Sequence, residues 1–417
     1  MKTELGKIAE IITGPFGSAL HQYEYVKNGV SVIMPQDIQD RKLSYTKIAF
    51  ITPQKAAELT RYTVKKNDIV YARRGDVEKH AFITSADEGS ICGTGCLRVR
   101  CKATAVNPLF LSFYLNKPES RQWITKHAVG SNMPNINSEI LGALPIEIAD
   151  NVDQGKVAAF LESLDLIIAN NTAICAELEA MAKLIYDYWF VQFDFPDEHG
   201  RPYKSSGGAM VWNDALHREI PAGWGDGNLY DIADFINGLP CQNYRPIDEK
   251  HKLPVIKIGE MHKGIGNDVE WARDDVPEKN IIDNGDILFS WSATLEVMFW
   301  NMGKGVLNQH IFKVIPKEYS KYYVYQQLTQ YVVNFVRMAE ARKTTMGHIT
   351  TDHLKQSRIA LPPRMLVELY ENFVKDSFEK ILNCSAENQQ LAALRDFLLP
   401  LLMNDQVTVC EPEKTAP

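Results

Sequence analysis

LGKIAEIITG at residues 5–14 and LYDIADFING at residues 229–238 are two versions of one segment. Leu, Ile, Ala and the closing Gly recur at the same places. A second pair follows, VIMPQDI (32–38) with VIKIGEM (255–261), and a third, KNDIV (66–70) with NGDIL (284–288). Each later match falls at a smaller offset, as loops of unequal length dictate. A repeat this long is a duplicated domain, because solenoid units are far shorter.

Each copy opens with short strands. Ser31–Met34 and Asp68–Ala72 are β-branched or aromatic and bounded by turn residues. A helix is expected after Asn107-Pro108, at Leu109–Leu115, with its counterpart at Tyr322–Leu328. Each copy therefore reads as a mixed α/β domain of ordinary size.

A long helix follows each domain. In the first, Val157, Phe160, Leu164, Ile167, Asn171, Ile174, Leu178, Met181, Ile185 and Tyr188 are spaced by threes and fours. That is a coiled-coil seam, with Asn171 setting register at some cost in stability. The second helix carries Tyr370, Phe373, Val374, Ile381, Leu391, Leu394, Leu398 and Leu401. Lys380 and Glu387 interrupt its seam. The two helices are expected to pair antiparallel, relating the halves by a pseudo-twofold.

The fold class is thus α+β: two mixed α/β domains joined by two long helices in an antiparallel coiled coil. The boundaries are 1–150, first domain; 151–192, first helix; 193–225, a connector rich in Gly, Ser, Pro and Asp and read as loop; 226–362, second domain; 363–403, second helix; and 404–417, a tail read as disordered.

Residues 1–150 hold 19 Lys and Arg against 15 Asp and Glu, a local +4; the whole chain is −7, so the remainder carries −11. A mildly basic domain beside acidic segments suits a nucleic-acid reader with protein partners better than a DNA-coating protein. No run of about 18 apolar residues was found, so no membrane span is expected. MKTELGKIAEIITG lacks the apolar centre of a signal peptide, and seven cysteines without framework spacing fit a reducing cytoplasm.

Catalytic signatures are missing: no phosphate loop, no methyltransferase Asn/Asp-Pro-Pro-Tyr tetrad, no glycine-rich cofactor turn. Leu361-Pro362-Pro363-Arg364 lacks the polar lead and the aromatic. Cys92, Cys96 and Cys101 have no metal-site spacing and read as buried strand cysteines. Gly93-Thr94-Gly95 is too short for a phosphate cradle, and the histidines, His310 and His348 among them, form no nucleophile or metal pattern. No metal or catalytic residue is assigned.

DNA reading needs cations for phosphates and polar side chains for base edges. Two loops per copy offer both. After the Asp-Ile strand come Arg73, Arg74, Lys79 and His80 in copy one, against Ser290, Trp291 and Ser292 in copy two. Later come Ser131, Asn132, Asn135 and Asn137, against Arg342, Lys343, Thr344, Thr345 and His348. The plainer alternatives are a solvated edge paired to Asp76 or Glu78, and simple turns. Unlike residues at matched places imply unlike half-sites. A seam from Val157 to Tyr188 is about 48 Å long, or about 14 base pairs or less.

This layout resembles the specificity subunit of type I restriction-modification systems. Tyr186 to Phe195 resembles that family's aromatic exit from the first helix. Glu219-Ile220-Pro221-Ala222-Gly223-Trp224 resembles its entry to the second domain, and Gly130 to Asn137 its late polar loop. The resemblance implies a non-catalytic DNA-recognition subunit in which each target-recognition domain reads one half of a bipartite, asymmetric double-stranded site. It implies two methyltransferase subunits docked on the helix pair, and restriction-translocase subunits beside them. S-adenosylmethionine, ATP and Mg are expected on those partners, with no cofactor in this chain. The competing readings are a coiled-coil scaffold, an enzyme with an unrecognised site, and a recognition subunit of a related phage-defence methyltransferase system. Duplicated catalysis predicts matched charges in both copies, and Arg73, Arg74 and Asp76 have none at Ser290–Thr294.

Overall fold

The computed structural model describes residues 1–16, 19–102, 106–130, 132–266, 268–292, 294–341 and 349–410. It divides into two units, Met1–Ile167 with Leu391–Pro417, and Ile168–Gln390. Each unit takes one domain and one end of each long helix, so these units cut across the boundaries drawn from sequence.

In the first unit, Ala9–Thr13, Cys96–Cys101, Ile69–Ala72 and His80–Phe82 form an antiparallel sheet in that order. Ile69–Ala72 is buried at every residue. Its alternate side chains explain why: Ile69 and Tyr71 enter one core with Leu97 and Val99, while Val70 and Ala72 enter another with Ala81 and Cys96. A strand covered on both faces is a continuous apolar run. The second unit repeats this with Ala233–Asn237, Ile311–Pro316, Ile287–Ser290 and Glu296–Phe299. There Ile287 and Phe289 face one core and Leu288 the other.

A smaller sheet follows in both units, built around one parallel pair: Val32 with Ile91, and Val255 with Val306. The ends of each domain are tied by a short ladder, Thr3 opposite Ile146 and Asp226 opposite Ala360. Two glycines of the repeated segment show what the repeat preserves. A Cβ on Gly14 would lie 2.0 Å from the Gly93 carbonyl oxygen, and one on Gly238 would lie 2.1 Å from that of Asn308. Gly14 donates to Cys96 O and Gly238 to Ile311 O.

The helix after Asn107 spans Pro108–Leu115, and the Asn107 carboxamide oxygen caps it, accepting from the Leu109 and Phe110 amides. Pro118 starts a separate helix, Pro118–His127; the second copy lacks that proline and runs one helix, Lys321–Ala341.

The long helices are Gln154–Tyr186 and Arg364–Met403. They pair antiparallel. In the first unit Val157, Ala158 and Leu161 pack with Leu399, Leu402 and Met403; in the second, Ala182 and Tyr186 share a core with Val367, Tyr370 and Val374. The seam differs from the expected one at every second position. Val157, Leu164, Asn171, Leu178 and Ile185 hold, but the intervening places belong to Leu161, Ile168, Cys175, Ala182 and Trp189. Phe160 and Ile174 are half-buried, while Ile167, Met181 and Tyr188 are exposed. Either set gives a three-four rhythm, so size alone favoured the wrong neighbour in most pairs. On the second helix Leu391, Leu398 and Leu401 are half-buried, but Leu394 is exposed and Leu399 and Leu402 take the inner places.

The helix Gln154–Val191 is long and apolar enough to cross a membrane by length and composition alone. It carries Glu162, Asp165, Glu177 and Glu179, and Asp165 is held in ion pairs. One face packs on the second long helix, the arrangement of a paired amphipathic helix.

Two loop assignments are corrected. The connector contains a hairpin, Met210–Asn213 with Arg218–Pro221, whose Ile220 is buried in the core. Its turn-rich composition masked that short alternation. Of the tail, Val409 packs on the core of the first unit and Asn404 accepts from the Lys117 ammonium; residues 411–417 lie outside the described residues.

Candidate nucleic-acid interface

The two loops singled out in copy one meet. The Arg73 amide donates to Gly95 O at 2.7 Å and the Ile136 amide donates to Arg73 O at 3.0 Å. The Gly75 amide donates to Pro134 O, and Arg74 bridges Asn135. A third segment joins them: the Arg73 guanidinium lies over the Phe16 ring, 5.3 Å from its centroid, and Arg73 Nε donates to Ile136 O at 3.3 Å. Thr94 fixes that segment by donating to Pro15 O at 2.9 Å. Arg74, Asn132 and Met133 are exposed beside it.

Copy two builds the same frame around a different side chain. The Trp291 amide donates to His310 O at 3.2 Å, the Ile349 amide donates to Trp291 O at 3.1 Å, and the Gln309 amide donates to Leu239 O. The indole N–H donates to Asn237 Oδ1 at 3.1 Å, and the ring packs on His310 and Phe312. Arg342, Lys343, Thr344, Thr345 and His348, with Ser131 of copy one, lie outside the described residues.

Several expected contacts belong to the interior instead. His80 is buried against Ser112, its Nε2 3.0 Å from Ser112 O, and its ring packs at a tilt on Tyr71. Burial, with the Arg41 charge adding to it, pushes its pKa down to about 3, so the ring is neutral. Ser290 is fully buried and its hydroxyl donates to Thr294 O; Ser292 is buried too. Both fall on or beside a strand covered on two faces, where sequence alone showed only a polar residue after a strand. Asn137 caps the helix Ser138–Gly142 by accepting from the Ile140 amide at 2.7 Å, a structural duty. Lys79 is paired to Asp76, the plain solvated-edge alternative.

Phe16, Asn237 and His310 also build these frames and are not among the residues expected from sequence. Their signal was positional: Asn237 precedes, and Phe16 closely follows, the repeated glycine, and His310 stands where Gly95 does in copy one.

The cysteines of the Cys92–Cys101 segment are sheet residues. Burial pushes the Cys92 thiol up to about 12 and the Cys101 thiol up to about 11, and Cys96 donates to Ile33 O. A cavity of about 420 Å³ in the second unit is lined by residues including His217, Arg218, Gln327 and Arg358; it contains no acidic side chain to pair with His217 among its lining residues.

A charged anchor ties the first domain to its helices. Asp165 accepts from the Arg41 guanidinium and from Arg395 Nη1 at 2.7 Å, and Arg41 lies 3.3 Å from the Phe113 centroid. Phe378, 213 residues after Asp165, occupies the corresponding place in the second unit and packs on Phe299, Tyr322 and Tyr325.

A duplicated α/β module, each copy packed on one end of an antiparallel helix pair, is the class of fold this chain defines. The profile described as "Type I restriction modification DNA specificity domain" matches residues 1–180 and 221–365, and the chain belongs to that family. It is 21% identical over 405 residues to the type I restriction enzyme MjaIX specificity subunit of Methanocaldococcus jannaschii, covering 93% of this chain and 89% of that one. It is 23% identical over 400 residues to the HindI specificity subunit of Haemophilus influenzae, covering 82% and 87%. In fold it is similar to the type I S subunit of M. genitalium, with a TM-score of 0.57 and 15% identity over 98% of this chain and 96% of that one.

Proposed function

We propose that the protein is the sequence-reading subunit of a type I restriction-modification complex and carries no catalytic step itself. Each domain reads one half of a split, asymmetric DNA target. The observation that carries this is the pair of matched loop frames, alike in backbone and unlike in side chain at Arg73 and Trp291. A scaffold protein has no use for two such faces. An enzyme duplicated in this way repeats its reactive groups, and here Trp291 stands where Arg73 does.

The helix pair serves as the platform for methyltransferase subunits, with restriction subunits beyond them. S-adenosylmethionine, ATP and Mg belong to those partners. In support, each unit leaves large apolar side chains uncovered on its helices: Leu166, Leu394 and Phe397 in the first, Leu184, Leu369 and Phe373 in the second. Exposed apolar surface of this extent marks protein contact.

The test is selection of bound duplexes from a random library by the assembled chain and methyltransferase. Two unlike conserved blocks at a fixed separation are expected. One block, or no enrichment, overturns the reading.

A further inference from the structure

The equivalent frames hold their central side chains in chemically distinct ways. Arg73 is oriented twice over, by the Phe16 ring beneath its guanidinium and by the Ile136 carbonyl on Nε. Among the described residues neither Nη atom has a protein partner. Two parallel donors on a fixed plane match the O6 and N7 acceptors of guanine in the major groove. A phosphate contact needs no such orientation, and exposed Arg74 beside it is available for one. Trp291 is the reverse case. Its one polar atom is engaged by Asn237, so any contact the half-buried indole makes beyond His310 and Phe312 is through carbon. Among base edges in the major groove, thymine alone offers an apolar group, its methyl.

We infer that residues 73 and 291 are the equivalent base-reading positions of the two copies. Arg73 reads a guanine in one half of the target, and Trp291 meets the methyl of a thymine in the other half. This rests on the DNA-reading function proposed above. It also gives a duty to Gly93-Thr94-Gly95 and Asn308-Gln309-His310, which supply the carbonyls and side chains that fix each frame.

The experiment uses the complete chain assembled with its methyltransferase partner, as wild type, Arg73→Gln, Arg73→Lys and Trp291→Ala. Methylation rates are measured on duplexes carrying every single-base change of the motif that the wild-type complex methylates. Arg73→Gln and Arg73→Lys are expected to cut the preference for one guanine by about 5- to 150-fold, the loss of one bidentate base contact. The other half and the spacer stay as they were. Trp291→Ala is expected to relax one thymine in the other half only. Uniform weakening on all duplexes would mark Arg73 as a phosphate contact and overturn the inference. Unchanged preferences, or a wild-type motif with no guanine in either half, overturn it too. Arg73→Lys keeps the charge, so it decides the matter if Arg73→Gln fails to assemble. A wild-type complex without any base preference would instead fail the underlying function.

Discussion

Asn171 Nδ2 lies 2.9 Å from Glu387 Oε2, joining two residues 216 apart across the helix pair. It also donates to Asn388 Oδ1 at 3.1 Å, and Asn388 returns a bond to Thr172. Asn171 is buried, so the position exchanges apolar packing for a defined register. Asn171→Leu is expected to raise the stability of the fold by about 1 kcal/mol while admitting alternative pairings. Urea unfolding and sedimentation check this. A lower midpoint with one sedimenting species would contradict it.

The shared carboxylate of Asp165 holds two arginines, of which the Arg41 side chain is 9% exposed. Removing it leaves a buried cation unpaired. Asp165→Ala is expected to cost about 3–5 kcal/mol, and combining it with Arg41→Met to recover part of that loss. Phe378→Ala in the second unit is expected to cost a similar ~3–5 kcal/mol through lost packing, with no recovery from any charge change. Denaturant titration of the single and double variants separates the two anchors. Strict additivity at Asp165 and Arg41 would contradict the ion-pair account.

His80 gives a pH signature. Its folded pKa lies near 3, below the ordinary histidine value of 6.5. The unfolded chain therefore binds the extra proton between these values, and stability falls as pH drops from about 6.5 towards 3. At pH 4 the loss relative to pH 7 amounts to roughly 3 kcal/mol from this group. His80→Gln keeps a donor for Ser112 and is expected to reduce the acid sensitivity by that amount. An unaltered slope between pH 7 and 4 would contradict the burial argument.

Gly14 and Gly238 make the same close approach in their two copies. Gly14→Ala and Gly238→Ala each force backbone apart, at an expected cost of roughly 2–3 kcal/mol. Matched drops in thermal midpoint are the check. Tolerance at one site and not the other would show that the copies have diverged there.

The duplication was legible because backbone constraints fix residue type: Gly14 and Gly238 recur where backbone approaches closely, and the Asn-Asp and Gly-Asp turns before Ile69 and Ile287 recur for their conformation. Asn67 and Gly285 both take positive φ. The helix pair was legible in rhythm but not in phase, since Phe160-Leu161 and Ile167-Ile168 offer apolar neighbours to either choice. The connector hairpin was hidden by turn-rich composition. Comparing the copies picked out loops that the structure brings together around Arg73 and Trp291, yet His80 and Ser290 are buried and not on a loop surface. A polar residue in or beside a two-sided strand looks identical in sequence to one on a loop. Phe16 and His310 each stand at a place the repeat marks, but only the meeting of three loops shows what they touch.

The most direct test of two-headed reading is adenine-methylation mapping of host DNA with and without this gene, its methyltransferase partner retained. The account predicts one split motif with two unlike halves, methylated only when the chain is present. Methylation that persists without the expressed chain, or a motif that is continuous and palindromic, would contradict it.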